Sequence, residues 1–193
     1  MKNRVENLAE RIQAILSARQ RKVIRADDLT PAAILLPLFR KEKGYHILLT
    51  KRTDRVKTHK GEISFPGGVY DQEDRTLETT ALRESFEEIG LREKDVEVFG
   101  CLDDVETLTK YMIRPFVGIF PYPYPFVVNR EEIEEIIEVP LQSLLRKDRF
   151  EKKRIPFEGG ERIIYTYRYR GHLIWGATAR ILKQFLDLIL DSP

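Results

Sequence analysis

The stretch Arg83–Leu91 reads Arg-Glu-Ser-Phe-Glu-Glu-Ile-Gly-Leu and decides the fold. Apolar and charged residues alternate around it with helical spacing, and Gly90 stands where a helix commonly ends. We therefore predict a helix over Thr76–Ile89. Its packing face is expected to consist of Leu82, Ser85, Phe86 and Ile89.

Three acids of this helix, Glu84, Glu87 and Glu88, are spaced i, i+3 and i+4 and therefore share one face. Stacked carboxylates repel one another by some tenths of a kcal/mol per pair, and a bound cation would reverse that sign. Hard cations such as Mg²⁺ or Mn²⁺ prefer oxygen ligands. The carbonyl of Gly67, in the Gly67-Gly68 turn before the helix, is a further candidate ligand. The alternative is an ordinary solvated acidic face.

Composition and charge exclude several classes of protein. The 193 residues are 42% hydrophobic and 33% charged, which is too apolar for a disordered chain. We predict one domain over 1–193, beginning with an amphipathic helix within residues 1–22. The net charge of +2 argues against a nucleic-acid or membrane-surface partner. The single cysteine, Cys101, excludes an intrachain disulfide and favours a reducing, cytoplasmic location.

The remaining pattern mixes strands and helices. Strands are predicted at Ala32–Phe39, Tyr45–Lys51, Ile63–Phe65, Val96–Leu102, Tyr111–Phe120 and Ile163–Tyr169. Pro66–Gly68 should break the chain, and Pro121, Pro123 and Pro125 should keep the next passage irregular. Helices are predicted at Pro140–Leu145 and Ala177–Leu190. This order favours an α/β fold, with one sheet covered by helices on both sides.

The helix and its preceding glycines resemble the box of the Nudix hydrolases, a glycine followed by Arg-Glu-U-x-Glu-Glu-x-Gly-U, where U is bulky and apolar. The matching positions are Gly68, Arg83, Glu84, Glu87, Glu88, Gly90 and Leu91. Ser85 departs from the box, and one extra residue separates Gly68 from Arg83. The box also has an acidic residue between its glycine and its arginine, and Asp74 is the nearest candidate for that position. The resemblance implies an α/β/α sandwich with a mixed β-sheet.

A second motif lies upstream and is similar to the signature of the coenzyme A pyrophosphatase subfamily. Its residues are Leu48-Leu49-Thr50-Lys51-Arg52-Thr53, then Lys57, Gly61 and Phe65-Pro66-Gly67-Gly68. Thr53 replaces Ser or Ala, and Lys57 replaces Arg. Leu173–Ala179 also resembles the end of this subfamily. The most specific motifs of the two resemblances both lie within residues 48–91.

The resemblance implies hydrolysis of coenzyme A or acyl-CoA to 3′,5′-adenosine bisphosphate and a 4′-phosphopantetheine. Metal binding falls to Glu84, Glu87, Glu88 and Gly67, with Glu84 also handling the proton of water and Arg83 orienting Glu84. A basic loop of Arg52, Arg55, Lys57, His59 and Lys60 can bind phosphates. Within it and beside it, the substrate-binding candidates are Arg52, Lys57, Lys60 and Gly61.

Several alternatives stay open. A further acid is expected from the run after Arg130, with Glu132 first and Glu135 second. The same box is also compatible with an enzyme that acts on a related substrate such as ADP-ribose, and with a Nudix-fold binding module without catalysis. Cys101, His46 and His172 are expected to be structural, and Tyr165, Tyr167 and Tyr169 could either stack on substrate or pack in the sheet. The first helix could cap the domain or form a homodimer contact.

Overall fold

The computed structural model describes residues 8–41, 43–56, 59–157 and 160–191. Its helices are α1 (Leu8–Ala18), α2 (Leu77–Ile89), α3 (Leu141–Leu144) and α4 (Gly176–Asp191). The strands are β1 (Thr30–Lys41), β2 (Gly44–Arg52), β3 (Ile63–Ser64), β4 (Gly67–Val69), β5 (Glu97–Cys101), β6 (Val105–Glu106), β7 (Tyr111–Ile119), β8 (Ile133–Pro140), β9 (Phe150–Phe157), β10 (Gly160–Tyr169) and β11 (His172–Ile174). Short 3₁₀ turns lie at Glu93–Asp95 and Lys147–Arg149. No helix in the described ranges is both long and apolar enough to cross a membrane.

The main sheet has eight strands and is mixed. Its central strand β1 pairs in parallel with β7 and antiparallel with β2, while β8 pairs with the far side of β2. The short strands β3 and β4 fill the gap where β1 and β2 separate, β3 pairing with β2 and β4 with β1. The predicted mixed sheet is thus confirmed. The predicted chain break at Pro66–Gly68 is wrong in part, because Gly67 and Gly68 pair with Ile34 and Ala33 as strand β4.

Strand β1 is buried on both faces, as a strand between two layers must be. Ala33, Leu35 and Phe39 belong to a core shared with α2, whereas Leu36 and Leu38 belong to a second core shared with α1 and α4. The alternation follows from the two-residue period of a strand. The sheet therefore has helices on both sides, which confirms the expected α/β architecture.

The terminal helices cover the face opposite α2. On α1, Ile12 and Leu16 are buried, and the Arg11 guanidinium donates to the carbonyl of Ile189 in α4 at 2.6 Å. Since α1 contributes to the core, its role as a cap of the domain is supported. The helix predicted over Ala177–Leu190 is also confirmed as α4, and one of its faces is apolar. The buried residues of this face are Ile181, Leu182, Phe185, Leu186 and Ile189.

A second sheet, β9–β10–β11, is antiparallel and was not predicted as a unit. Only its middle strand has an alternating pattern in the sequence, because β9 carries a run of charged residues, Glu151–Arg154. Tyr167 and Tyr169 are buried in the core behind this sheet. Sheet packing is therefore their role, and Tyr165 stacks on Phe150 with ring centroids 5.9 Å apart.

Candidate functional site

Helix α2 begins and ends where its caps require. The Thr76 hydroxyl accepts a hydrogen bond from the Thr79 amide at 3.1 Å, which satisfies an otherwise unpaired donor of the first turn. Gly90 ends the helix with φ at 71°, a left-handed conformation that favours glycine. Both predicted ends of the helix are confirmed. The acids of the box are therefore on one helix with the spacing that the sequence indicated.

The packing face of α2 differs from the prediction at one position. Leu82, Ser85 and Ile89 are buried, and the Ser85 hydroxyl donates to the carbonyl of Ala81 at 2.7 Å. This bond explains how a serine is accommodated where the box has an apolar residue. Phe86, however, is 54% exposed, so its predicted packing role is wrong. It lines an open pocket at the side of the helix together with Tyr124 and Val127.

Gly67 and Gly68 let β4 pack closely on two neighbours, β1 at Gly67 and α2 at Gly68. A Cβ on Gly68 would lie 2.4 Å from the carboxylate of Glu84, and one on Gly67 would lie 2.3 Å from the carbonyl oxygen of Ala33. Gly67 also has φ at 153°, which strains any residue with a side chain. Gly68 therefore forms the glycine floor on which the Glu84 carboxylate rests, and Gly67 allows the close approach of β4 to β1.

Arg83 connects the acids of the helix to the loop before it. Its guanidinium donates to Glu84 at 2.8 Å and to Glu87 at 3.0 Å, which agrees with the predicted orienting role. It also holds Asp74 with two bonds of 3.0 Å, a bidentate pair. These bonds from Arg83 lower the pKa of Asp74 to about 2. Asp74, the candidate early acid, thus lies at the site as the anchor of Arg83.

Glu88 is the most deeply buried acid of the group, with a side chain only 3% exposed. Burial raises its pKa to about 8, against the opposing charge of Arg52. Burial also raises the pKa of Glu84, although Arg83 opposes the shift. In both cases the neighbouring charge of Glu132 adds to the increase. Burial and the neighbouring carboxylates therefore make the ionised forms of Glu84 and Glu88 unfavourable.

Arg52 lies inside this acidic group rather than only in the basic loop. Its guanidinium is 3.2 Å from Glu88 and 3.5 Å from Glu132. Arg55 is likewise paired with Glu131 at 3.3 Å, and His59 with Glu62 at 2.9 Å. The loop thus carries its positive charges next to acids. Lys60 is exposed, Gly61 has φ at 65°, and Lys57 lies outside the described residues.

The structure brings Glu132 to the site and separates Glu135 from it. Glu132 lies one residue before β8 and contacts Arg52, whereas Glu135 lies within β8, 3.8 Å from His172. Two contacts that the sequence did not indicate hold Glu132 in place. The Thr53 amide donates to the carbonyl of Glu132 at 2.8 Å, and the Asn129 amide group donates to the Glu132 carboxylate at 3.4 Å.

Asn129 is the residue that sequence reasoning missed. Its backbone N–H donates to the carbonyl of Glu88 at 2.9 Å, and its side chain accepts from the amide of Glu131 at 3.1 Å. It therefore joins the end of α2 to the loop that carries Glu132. The available signal was an Asn directly before an acidic run, a position at which Asn often caps a turn.

The residues predicted to be structural are so placed. His46 is buried in β2, stacked on Phe39 with centroids 5.3 Å apart, and Cys101 lies half-buried in β5 with a pKa raised by burial. A raised pKa disfavours the reactive thiolate. Neither residue contacts the acidic group.

The acidic group fits a divalent cation in its donor chemistry. Glu88 Oε2 is buried and has no hydrogen-bond partner, and such an atom costs free energy unless something pairs with it. Within the described ranges no three His, Cys, Asp or Glu side chains are gathered into a metal site. Arg52 pairs with Glu88 and Arg83 with Glu84, so arginines neutralise these acids. A cation would replace part of that neutralisation.

The fold and the site together define a class of protein. It is an α/β protein in which a carboxylate-rich helix packs against strand β4, an arrangement suited to a phosphate-containing substrate. A NUDIX domain model matches residues 28–158. Proteins named uncharacterized Nudix hydrolase NudL are similar over most of their length. The one from Photorhabdus laumondii is 36% identical over 164 residues, 85% of this chain and 87% of that protein. The one from Klebsiella pneumoniae (strain MGH 78578) is 32% identical over 193 residues, all of both chains.

Solved structures agree with the fold. A MutT/nudix family protein from Enterococcus faecalis has a TM-score of 0.57 at 14% identity, covering 100% of this chain and 75% of that one. The Nudix hydrolase RenU from M. smegmatis has a TM-score of 0.51 at 23% identity, covering 60% and 73%. At these identities the likeness concerns the fold alone. With the family model and the relatives, the chain belongs to the Nudix family and is a hydrolase of a nucleoside diphosphate derivative.

Proposed function

We propose that this enzyme hydrolyses the diphosphate bond of coenzyme A or its acyl derivatives, giving 3′,5′-adenosine bisphosphate and 4′-phosphopantetheine or its thioester. The observation that carries the proposal is the position of the upstream signature. Arg52 of this signature lies 3.2 Å from Glu88. Gly68, the last residue of the signature, lies against the carboxylate of Glu84. The motif that suggests the substrate is therefore continuous with the acids that suggest the chemistry.

The proposed roles follow from the contacts. Glu84, Glu87, Glu88 and the Gly67 carbonyl would hold Mg²⁺ or Mn²⁺, which neutralises a diphosphate and makes a water more acidic when bound. Glu84 accepts the proton of the attacking water, because burial raises its pKa toward that of an effective base. Arg83 fixes the Glu84 carboxylate, and Glu132 is a second candidate base. Arg52, Lys57, Lys60 and Gly61 are the proposed substrate-binding residues, and their support is the resemblance of this part of the chain to the subfamily signature.

The direct test is incubation with coenzyme A, ADP-ribose or ATP, each with Mg²⁺ or Mn²⁺. We expect coenzyme A to be cleaved most efficiently, with 3′,5′-adenosine bisphosphate as a product. Faster cleavage of ADP-ribose would favour another nucleoside diphosphate derivative, and binding without cleavage would favour a non-catalytic module. Either result would contradict the proposal.

The catalytic assignment is tested by neutralising acids one at a time. Glu84→Gln should lower turnover by about 100-fold or more, the typical contribution of a base or electrostatic group. The matched control is Glu78→Gln, which changes an exposed acid in the first turn of the same helix. Glu132→Gln should likewise reduce turnover more than Glu135→Gln. Equal rates for that second pair would remove Glu132 from the proposed machinery.

The cytoplasmic location predicted from the single cysteine, and a homodimer, remain parts of this proposal. Fractionation and sedimentation would test the two directly.

A further inference from the structure

The carboxylate of Glu132 is held between two donors that come from different parts of the chain. The Arg52 guanidinium lies 3.5 Å from its Oε2, and the side-chain amide of Asn129 donates to its Oε1 at 3.4 Å. The backbone of Glu132 is fixed as well, because its carbonyl accepts from the Thr53 amide at 2.8 Å. Each oxygen of this carboxylate therefore has a donor of its own.

Without these donors, the Glu132 carboxylate would favour other orientations. Its side chain is 44% exposed, so other rotamers are open to it and water can solvate it there. The charge of Glu132 also opposes ionisation of Glu84 and Glu88, and this repulsion favours rotamers that point away from the helix. Hydrogen bonds to a charged group are strong enough to offset such a tendency.

The side chain of Asn129 has two polar atoms with two separate partners. Its Oδ1 accepts from the backbone N–H of Glu131 at 3.1 Å, in a turn that Asn and Asp both favour. Because a backbone N–H only donates, the amide oxygen must face Glu131 and the NH2 group must face Glu132. The turn needs an acceptor alone, which an aspartate supplies equally well. The NH2 group is therefore the part of Asn129 that the turn does not use.

The backbone of Asn129 links the acidic helix to the strand that follows Glu132. Its N–H donates to the carbonyl of Glu88 at 2.9 Å, in the last turn of α2. Its carbonyl accepts from the N–H of Glu132 at 3.1 Å and from the N–H of Ile133, the first residue of β8, at 2.8 Å. The placement of Glu132 relative to the helix therefore depends on Asn129.

We infer that Asn129 is a positioning residue of this hydrolase, whose side-chain amide keeps the Glu132 carboxylate beside Arg52 and the acids of α2, where it can accept a proton from the attacking water. This inference rests on the part of the proposed function that makes Glu132 a candidate base. It does not depend on which nucleoside diphosphate derivative is cleaved. Arg52 is not a substitute for Asn129, because it binds the other oxygen and is also paired with Glu88.

The variant Asn129→Asp separates the two partners of the side chain. It keeps an acceptor for the Glu131 amide, removes the donor to Glu132 and places a second carboxylate beside the first. We expect kcat to fall about 10-fold, less than the effect of a full displacement because Arg52 still binds Oε2. KM should change less than about twofold, since the lost interaction serves the transition state. The substrate is whichever of coenzyme A, ADP-ribose or ATP the wild type cleaves fastest.

The matched background for this variant is Glu132→Gln. If Asn129 acts through Glu132, adding Asn129→Asp to Glu132→Gln should change kcat by less than about twofold, so that the two effects are not additive. An effect of the new charge on the metal or the substrate would instead persist in that background. Crystal structures of the wild type and Asn129→Asp give a readout that needs no activity. In the variant, the turn should remain and the Glu132 carboxylate should leave the position between its two donors.

Four results would overturn the inference. They are a kcat of Asn129→Asp close to that of the wild type, a full loss that persists in the Glu132→Gln background, an unmoved Glu132 carboxylate in the crystal structure of the variant, and wild-type turnover in Glu132→Gln. Failure of coenzyme A as a substrate is a separate result. It would contradict the proposed function, and the same variants measured with ADP-ribose or ATP would still decide the role of Asn129.

Discussion

Replacing Glu88 by glutamine should stabilise the metal-free protein at pH 8 and leave its stability at pH 4.5 nearly unchanged. Glu88 titrates near 8 in the folded protein and near 4.5 in an unfolded chain. The folded state therefore holds a proton that the unfolded state releases over this range, so the free energy of unfolding falls as pH rises. The glutamine has no proton to lose, and this part of the pH dependence disappears.

The size of the effect follows from the shift. Each pKa unit is worth about 1.4 kcal/mol, so a shift from 4.5 to about 8 corresponds to at most about 5 kcal/mol at pH 8. The attraction of Arg52 is already contained in this shift, and relaxation around a buried carboxylate reduces the gain, so we expect about 2–3 kcal/mol. For a protein of this size that equals roughly 4–12 °C in Tm.

The assay is urea unfolding of both proteins in a chelator at pH 5 and pH 8. The control is Glu87→Gln on the same face, whose side chain is 53% exposed and should change the pH dependence little. Addition of Mg²⁺ at pH 8 should then stabilise the wild type more than Glu88→Gln, because a ligand that binds only the folded state raises its stability. Parallel pH dependences for the wild type and Glu88→Gln would refute the reasoning.

Three further outcomes concern activity. Gly68→Ala should cost about 100-fold in turnover with the fold retained by circular dichroism, since the added Cβ would displace the Glu84 carboxylate by about 1 Å; turnover within twofold of the wild type would remove the glycine floor from the site. Arg52→Ala should raise KM for coenzyme A and move the acid limb of the pH–rate profile to higher pH, because the Arg52 charge lowers the pKa of Glu88; an unmoved limb would separate the two residues in function. Activity should rise from acid to alkaline pH and vanish in excess chelator, because ligating carboxylates and the attacking water must lose protons; full activity in chelator would contradict metal dependence.

Much of the site is readable from the sequence because it depends on local spacing. Glu84, Glu87 and Glu88 share a face on any helix, and Gly90 ends that helix for a reason contained in its own backbone. The strands that follow a two-residue pattern were also predicted. The charged strand β9 was not, because the run Glu151–Arg154 has no apolar alternation that indicates a strand, although β9 pairs with the next strand along the chain, β10.

Tertiary structure alone decided how those local elements meet. Burial of Glu88, the approach of Arg52 to it, and the link from Asn129 to Glu132 all depend on packing between α2, β2 and the loop before β8. The exposure of Phe86 has the same origin: its helical position allows packing, and only the folded molecule shows that it lines an open pocket instead. Spacing along a chain fixes which side chains share a face, whereas the electrostatic environment of a carboxylate is fixed by atoms far away in sequence, so only the folded molecule determines its charge.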